Sequence, residues 1–172
     1  MSAKRILQLL LLVLALVAWV QVPLALDQLP ERIATHFDGA GNPNGWMTRD
    51  GLFTFWSCLV GFMLFTFLVT PIFTSRVSDR WINLPHKDYW LAPERRQESL
   101  DRLANFGLGA GCACMAFMAV TICALLRANL DGTQRLDDHF IWYTLAFAVL
   151  LIGSAIGFTA RFYRIPASGR AM

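Results

Sequence analysis

Three small groups of residues have the types and spacing that chemistry could use. His36 and Asp38 could ligate a metal ion if Asp27 or Glu31 completed the set, because imidazole and carboxylate suit zinc and similar ions. The spacing is not that of a standard metal motif. Gly39, Gly41, Asn42, Pro43, Asn44 and Gly45 follow at once with consecutive turn chemistry, so a histidine that hydrogen-bonds the turn is the simpler expectation. His86, Asp88 and Tyr89 could move a proton, but no Ser or Cys nucleophile and no glycine-rich phosphate cradle accompanies them. Cys112 and Cys114 suggest a metal pair, yet residues two apart on a helix point to different faces and no His or carboxylate joins them. With Cys58 and Cys123 they read as small apolar thiols rather than a disulfide framework. The residues therefore predict no catalytic group, no metal and no cofactor, and a chain that is not an enzyme.

The elements that carry these groups belong to a membrane. Of 172 residues, 56% are hydrophobic and only 16% charged, where soluble domains carry about a quarter charged residues; the mean hydropathy is +0.47. A formal charge of +3 is too small to suggest nucleic acid as a partner. Four stretches free of ionisable side chains, 6–26, 52–75, 104–126 and 140–160, are each long enough to cross a hydrocarbon core as a helix. The expected fold is an all-α membrane protein, a four-helix bundle forming one domain over 1–172, with an outer loop 27–51 and a cytoplasmic loop 76–103. The first span follows Lys4 and Arg5 as a secretory signal would, but it is too long and lacks an A-x-A-like site, so it reads as a retained anchor. Pro23 should end or bend it near the surface.

Orientation follows from the basic residues. Lys4, Arg5, Arg76, Arg80, Lys87, Arg95, Arg96, Arg102, Arg161, Arg164 and Arg170 fall on one side, and only Arg32, Arg49, Arg127 and Arg135 on the other. The positive-inside rule then puts both termini in the cytoplasm. Trp19, Phe53, Phe55, Trp56, Trp142 and Tyr143 cluster near the outer surface, with Trp81, Phe162 and Tyr163 near the inner one, as aromatic belts do.

No Asp, Glu, Lys, Arg or His lies inside any span, which disfavours a pump or ion-coupled carrier. Gly107 and Gly111 in the third span, and Gly153 and Gly157 in the fourth, form two GxxxG patterns at one depth. Small residues let helix backbones approach closely, so these pairs predict a direct crossing of spans three and four, or else a homodimer through the same glycines. In the cytoplasmic loop, Pro93 and Glu94 suit the first turn of a helix that runs on into span three, with Glu98 and Arg102 as a supportive pair. That segment reads as an interfacial collar with snorkelling arginines, or as a surface for a cytoplasmic partner formed by Tyr89, Trp90, Arg95 and Arg96.

Two loops have recognisable wording. The outer segment Leu29-Pro30 through Thr35-His36-Phe37, then Gly41-x-Pro43-x-Gly45-Trp46, resembles the uncharacterised membrane domain at the N-terminus of SdpI-type bacteriocin-immunity proteins. The inner segment Asn83-Leu84-Pro85-x-Lys87-Asp88-Tyr89-Trp90-Leu91-Ala92-Pro93-Glu94-Arg95-Arg96 resembles the cytoplasmic loop of the same family, while the fourth span is similar in hydropathy alone. The resemblance implies a bacterial inner-membrane protein related to immunity against a secreted peptide and to signalling by capture of a repressor, and it supplies no catalytic residue. The expected function is a non-enzymatic envelope sensor or immunity-type protein. His36, Phe37, Asp38 and Trp46 would meet a peptide or lipid outside, and the inner loop would report inward. The alternative is an accessory or scaffold subunit of a larger membrane complex. Partners on these readings are the bilayer, an exported peptide, a cytoplasmic or membrane protein, and a second copy of the chain.

Overall fold

The computed structural model describes residues 1–165; Arg170, counted above among the basic residues of the tail, lies outside them. Helix α1 (Ala3–Ala25) starts at Ser2, whose hydroxyl accepts the Arg5 amide, a standard helix N-cap. Pro23 sits in its last turn, where it removes a backbone donor, and the chain then tightens into a 3-10 turn over Leu26–Gln28. Strands β1 (Ile33–Phe37) and β2 (Pro43–Met47) pair as an antiparallel hairpin with register irregularities around His36. The segment between the first two spans thus holds a small sheet, and the fold is mostly rather than wholly helical. Thr48 caps α2 (Arg49–Arg76) by accepting the Gly51 amide at 3.1 Å. After a single turn α3 (Lys87–Trp90), the helix α4 (Pro93–Leu130) opens with Pro93 in its first turn and runs unbroken through the third span. Helix α5 (Phe140–Phe162) closes the described chain. Four of these helices are long and apolar enough to cross a membrane.

The main interface joins α1 to α4, which lie side by side and run in the same direction. Bonds along the pair rise in step on both helices: Lys4 to Asp101 at 2.7 Å, the Cys112 thiol to the Leu7 carbonyl at 3.5 Å, and Gln21 Nε2 to the Ala119 carbonyl at 3.1 Å. Leu11, Ala15, Ala18 and Val22 form the buried stripe of α1 at helical spacing, packed in one core with Leu108, Cys112, Met115 and Ile122 of α4. Helix α2 lies antiparallel across both, where Trp56 Nε1 donates to the Ala18 carbonyl at 2.9 Å and Trp19 Nε1 to Ser57 Oγ at 2.9 Å. Thr66, Thr70 and Thr74 satisfy their hydroxyls on carbonyls four residues back, so α2 carries them at no polar cost.

The expected crossing of the third and fourth spans on their glycines is corrected. Gly107 and Gly111 face α2: an added Cβ would stand 2.7 Å from Thr70 Cγ2 and 2.5 Å from Phe67 Cγ respectively. Gly153 and Gly157 meet nothing within 4 Å. Helix α5 is instead held by stacked phenylalanines, Phe106 on Phe158 and Phe117 on Phe147, each with ring centroids 4.2 Å apart. Phe162 is its one buried residue. The bundle is therefore a three-helix core with a fourth helix on its flank. Helix association in lipid follows shape rather than hydrophobicity, and the glycines of α4 fit the bulky side chains of α2.

Candidate functional site

The hairpin places its four candidate residues differently. Trp46 is 43% exposed, with the Arg32 guanidinium 5.3 Å from its ring centroid, an arrangement that favours the indole face. His36 is exposed and stands against Gly45, where an added Cβ would come 3.0 Å from the His36 Cβ; its Nδ1 is 3.3 Å from Thr35 Oγ1. Phe37 is half-buried. Asp38 belongs to the turn: its carboxylate accepts the Asn42 and Ala40 amides, both at 2.9 Å. Those bonds, led by that from Asn42, hold its pKa below the usual carboxylate value although it is fully exposed. Asp38 is thus spent on the fold of the hairpin, and among the described residues no three His, Cys, Asp or Glu side chains gather as a metal site.

A second layer of bonds fixes the hairpin on the helices. Asn129, buried near the end of α4, donates from Nδ2 to the Ala34 carbonyl at 2.9 Å and accepts the Ala34 amide on Oδ1 at 2.8 Å. One side chain therefore satisfies both backbone groups of a buried residue, as a neighbouring strand would. Arg49 reaches back to the carbonyls of Leu29 and Pro30. At the turn, Gly41 has φ +78°, its carbonyl accepts the Leu136 amide at 3.0 Å, and a Cβ there would stand 2.7 Å from the Leu136 carbonyl oxygen. Arg135 donates to the Ala40 carbonyl at 3.3 Å and Gln134 to the Arg32 carbonyl at 3.0 Å. The hairpin and the segment 131–139 thus form one docked layer. In the sequence, 127–139 only separates two apolar runs, and the signal for its docking is an asparagine just beyond the third run, where α4 continues for another turn.

Bordered by the segment 131–139, a cleft of about 1020 Å³ opens between α1, α4 and the start of α5. Its floor is apolar, from Val17, Val120 and Ala124, while its rim carries Arg127, Asp131, Asp137 and His139. Arg127 is exposed and makes no ion pair among the described residues. Gln21 lines the same cleft and spends both amide hydrogens on the carbonyls of Val17 and Ala119. A hollow with an apolar body and a charged mouth, of a size that encloses small ligands, is suited to an amphiphile. None of His36, Phe37, Asp38 or Trp46 lines it; they sit on the hairpin, which reaches the cleft only through the segment 131–139 bonded to it.

At the opposite end, the residues read as a partner surface close the loop on itself. Trp90 is 7% exposed, donates from Nε1 to the Phe162 carbonyl at 2.8 Å and meets the Phe162 ring edge-on at 5.3 Å. The buried Ser99 hydroxyl donates to the Trp90 carbonyl at 2.7 Å. Arg95 lies 4.0 Å over the half-buried Tyr89 ring and donates to its carbonyl, while Arg96 pairs with Asp79 at 2.9 Å and reaches the Val77 carbonyl. Glu98 and Arg102 form the expected pair at 2.6 Å. Trp90 and Arg96 thus tie the loop down and fasten the end of α5 to α4.

Residues 9–60 match a family described as a domain of unknown function (DUF1648). The matched stretch takes in most of α1, the whole hairpin with Trp46, and the first part of α2, and it stops short of the inner loop and of Asn129. No curated protein and no solved structure matches the chain.

Proposed function

We propose that this protein is a non-enzymatic receptor of the bacterial inner membrane that captures an exported amphiphile, a lipid or a membrane-seeking peptide, at the outer boundary of the bilayer. The observation that carries the reading is the cleft of about 1020 Å³ with its apolar floor and charged mouth, bordered by the segment 131–139 that is bonded to the hairpin. The excess of basic residues around the opposite end supports an orientation with both termini in the cytoplasm. On this reading an immunity-type or sensing role follows from capture itself. The hairpin, with Trp46 and His36 exposed, forms the approach to the cleft and the cleft holds the ligand. Extraction in mild detergent followed by mass spectrometry tests it. The wild type should retain an amphiphile in stoichiometric amount, and Ala124→Trp, which fills the floor, should lose it. Retention of none, or equal retention by the filled variant, overturns the reading.

A second reading, an accessory subunit of a larger membrane complex, draws on α5. Its face around Gly153 and Gly157 is open, and Trp142, Val149, Ile152 and Ile156 stand exposed on the same helix. A stoichiometric membrane protein recovered in the same extraction would favour it.

A further inference from the structure

The arginine-bearing end holds a second hollow that the outer cleft does not explain. It has a volume of about 490 Å³ and lies between α4 and α5, lined by Arg102, Asn105, Phe106, Phe158, Arg161 and Phe162. Its wall is a set of touching rings: Phe106 stacks on Phe158 at 4.2 Å, and Phe158 meets Phe162 edge-on at 5.1 Å. Two guanidinium groups stand at its edge. Arg102 is engaged with Glu98, whereas Arg161 makes no ion pair among the described residues and also lines a smaller hollow with Gly157, Ala160 and Arg164. Asn105 also lines the hollow, and its Oδ1, buried off the hollow's surface, is the one buried side-chain oxygen without a donor among the described residues.

These groups ask for two things at once. Arginines at the edge of an apolar wall at membrane depth call for an anion, and basic pockets between membrane helices take anionic lipid head groups. A buried carbonyl oxygen with no donor calls for an O–H or N–H from a ligand. We propose that this hollow binds an anionic phospholipid whose phosphodiester meets Arg161 and Arg102, whose head-group hydroxyl donates to Asn105 Oδ1 once that amide turns into the hollow, and whose acyl chains lie along Phe106 and Phe158. A glycerol head group has both the charge and the hydroxyl. The site is independent of the outer cleft: it lies at the other end of α4 and takes its lipid from the other leaflet.

Native mass spectrometry from mixed micelles tests the assignment with three probes. Phosphatidylglycerol carries charge and hydroxyls, phosphatidylmethanol carries the charge alone, and phosphatidylcholine is zwitterionic. The wild type should retain them in that order. Arg161→Gln, at an exposed position, should lower the preference for phosphatidylglycerol over phosphatidylcholine about fivefold, the factor that one basic residue contributes at an anionic surface. Asn105→Leu should keep the preference for anionic lipid and lose that for phosphatidylglycerol over phosphatidylmethanol, which a purely structural asparagine would not affect. Arg76→Gln, at an exposed position that lines neither hollow, should change neither ratio. Equal retention of all three lipids, an undiminished ratio in Arg161→Gln, or displacement of the lipid by millimolar inorganic phosphate would each overturn it. Loss of the outer amphiphile in Ala124→Trp with these ratios intact would separate the two sites.

Discussion

The two ends of the molecule are built by opposite means. At the outer end the fold is fastened largely through backbone groups, with Asn129 bonded to both polar atoms of Ala34 and the Gly41 carbonyl accepting the Leu136 amide. Trp46 and His36 stay exposed, and a cleft is left open beside the segment 131–139. At the arginine-bearing end the conspicuous side chains are themselves the fastening, with Trp90 buried on Phe162 and Arg96 paired with Asp79. A dense cluster of aromatic and basic residues is therefore weak evidence of a partner surface, because a short loop over helix ends needs such groups to hold itself together.

The largest test of this contrast is Trp90→Ala. Removing a buried indole and its bond to the Phe162 carbonyl should cost about 3 kcal/mol, release the end of α5, and lower the thermal midpoint in detergent, while the outer layer stays protected. Amide exchange along both ends reads the difference, and equal loosening at the hairpin would erase the distinction. Asn129→Leu should come next. It keeps the bulk but leaves the Ala34 amide and carbonyl buried and unpaired, at about 2 kcal/mol, and it should speed exchange at Ala34 without loosening Trp90.

Gly41→Ala acts at one point of the same layer. A left-handed conformation costs an L-residue about 1–2 kcal/mol, and the added methyl would press on the Leu136 carbonyl, so the hairpin should part from the segment 131–139 while its strands stay paired. Protease sensitivity confined to 131–139 would check it. The smallest effect is that of pH on Asp38. Its folded-state pKa lies below the unfolded value, so its contribution is complete above about pH 3.9, the ordinary aspartate value, and is lost as pH falls through the lower folded value. The Ala40 and Asn42 amides should lose protection in that acid range only, and Asp38→Asn should remove the dependence.

Much of the architecture was legible in the sequence. The four apolar runs, the helix opened by Pro93 and the turn residues after Asp38 each follow from composition or local chemistry, because span length and turn geometry are set by neighbouring residues. What was not legible depends on which surfaces meet. Two GxxxG patterns predicted one crossing; Gly107 and Gly111 found Thr70 and Phe67 of α2, and Gly153 and Gly157 found nothing, since the motif encodes closeness and not the partner. Asn129, Arg127 and Gln21 are single polar residues near the ends of apolar runs, where neighbouring sequence gives them no role. Their meaning comes from residues far away in the chain: Ala34 for Asn129, Ala119 for Gln21, and the rim of the cleft for Arg127.

The most direct test of the central claim, that recognition at the hairpin end lies in the cleft bordered by 131–139, is to map where an amphiphile sits. A single-chain phospholipid with a photoreactive group on its acyl chain would be cross-linked to the protein in nanodiscs and the labelled peptides identified. Labels should gather on Val120, Cys123, Ala124 and Tyr143 and disappear in Ala124→Trp. Labels spread evenly along the exposed face of α5, and unchanged in that variant, would contradict the account.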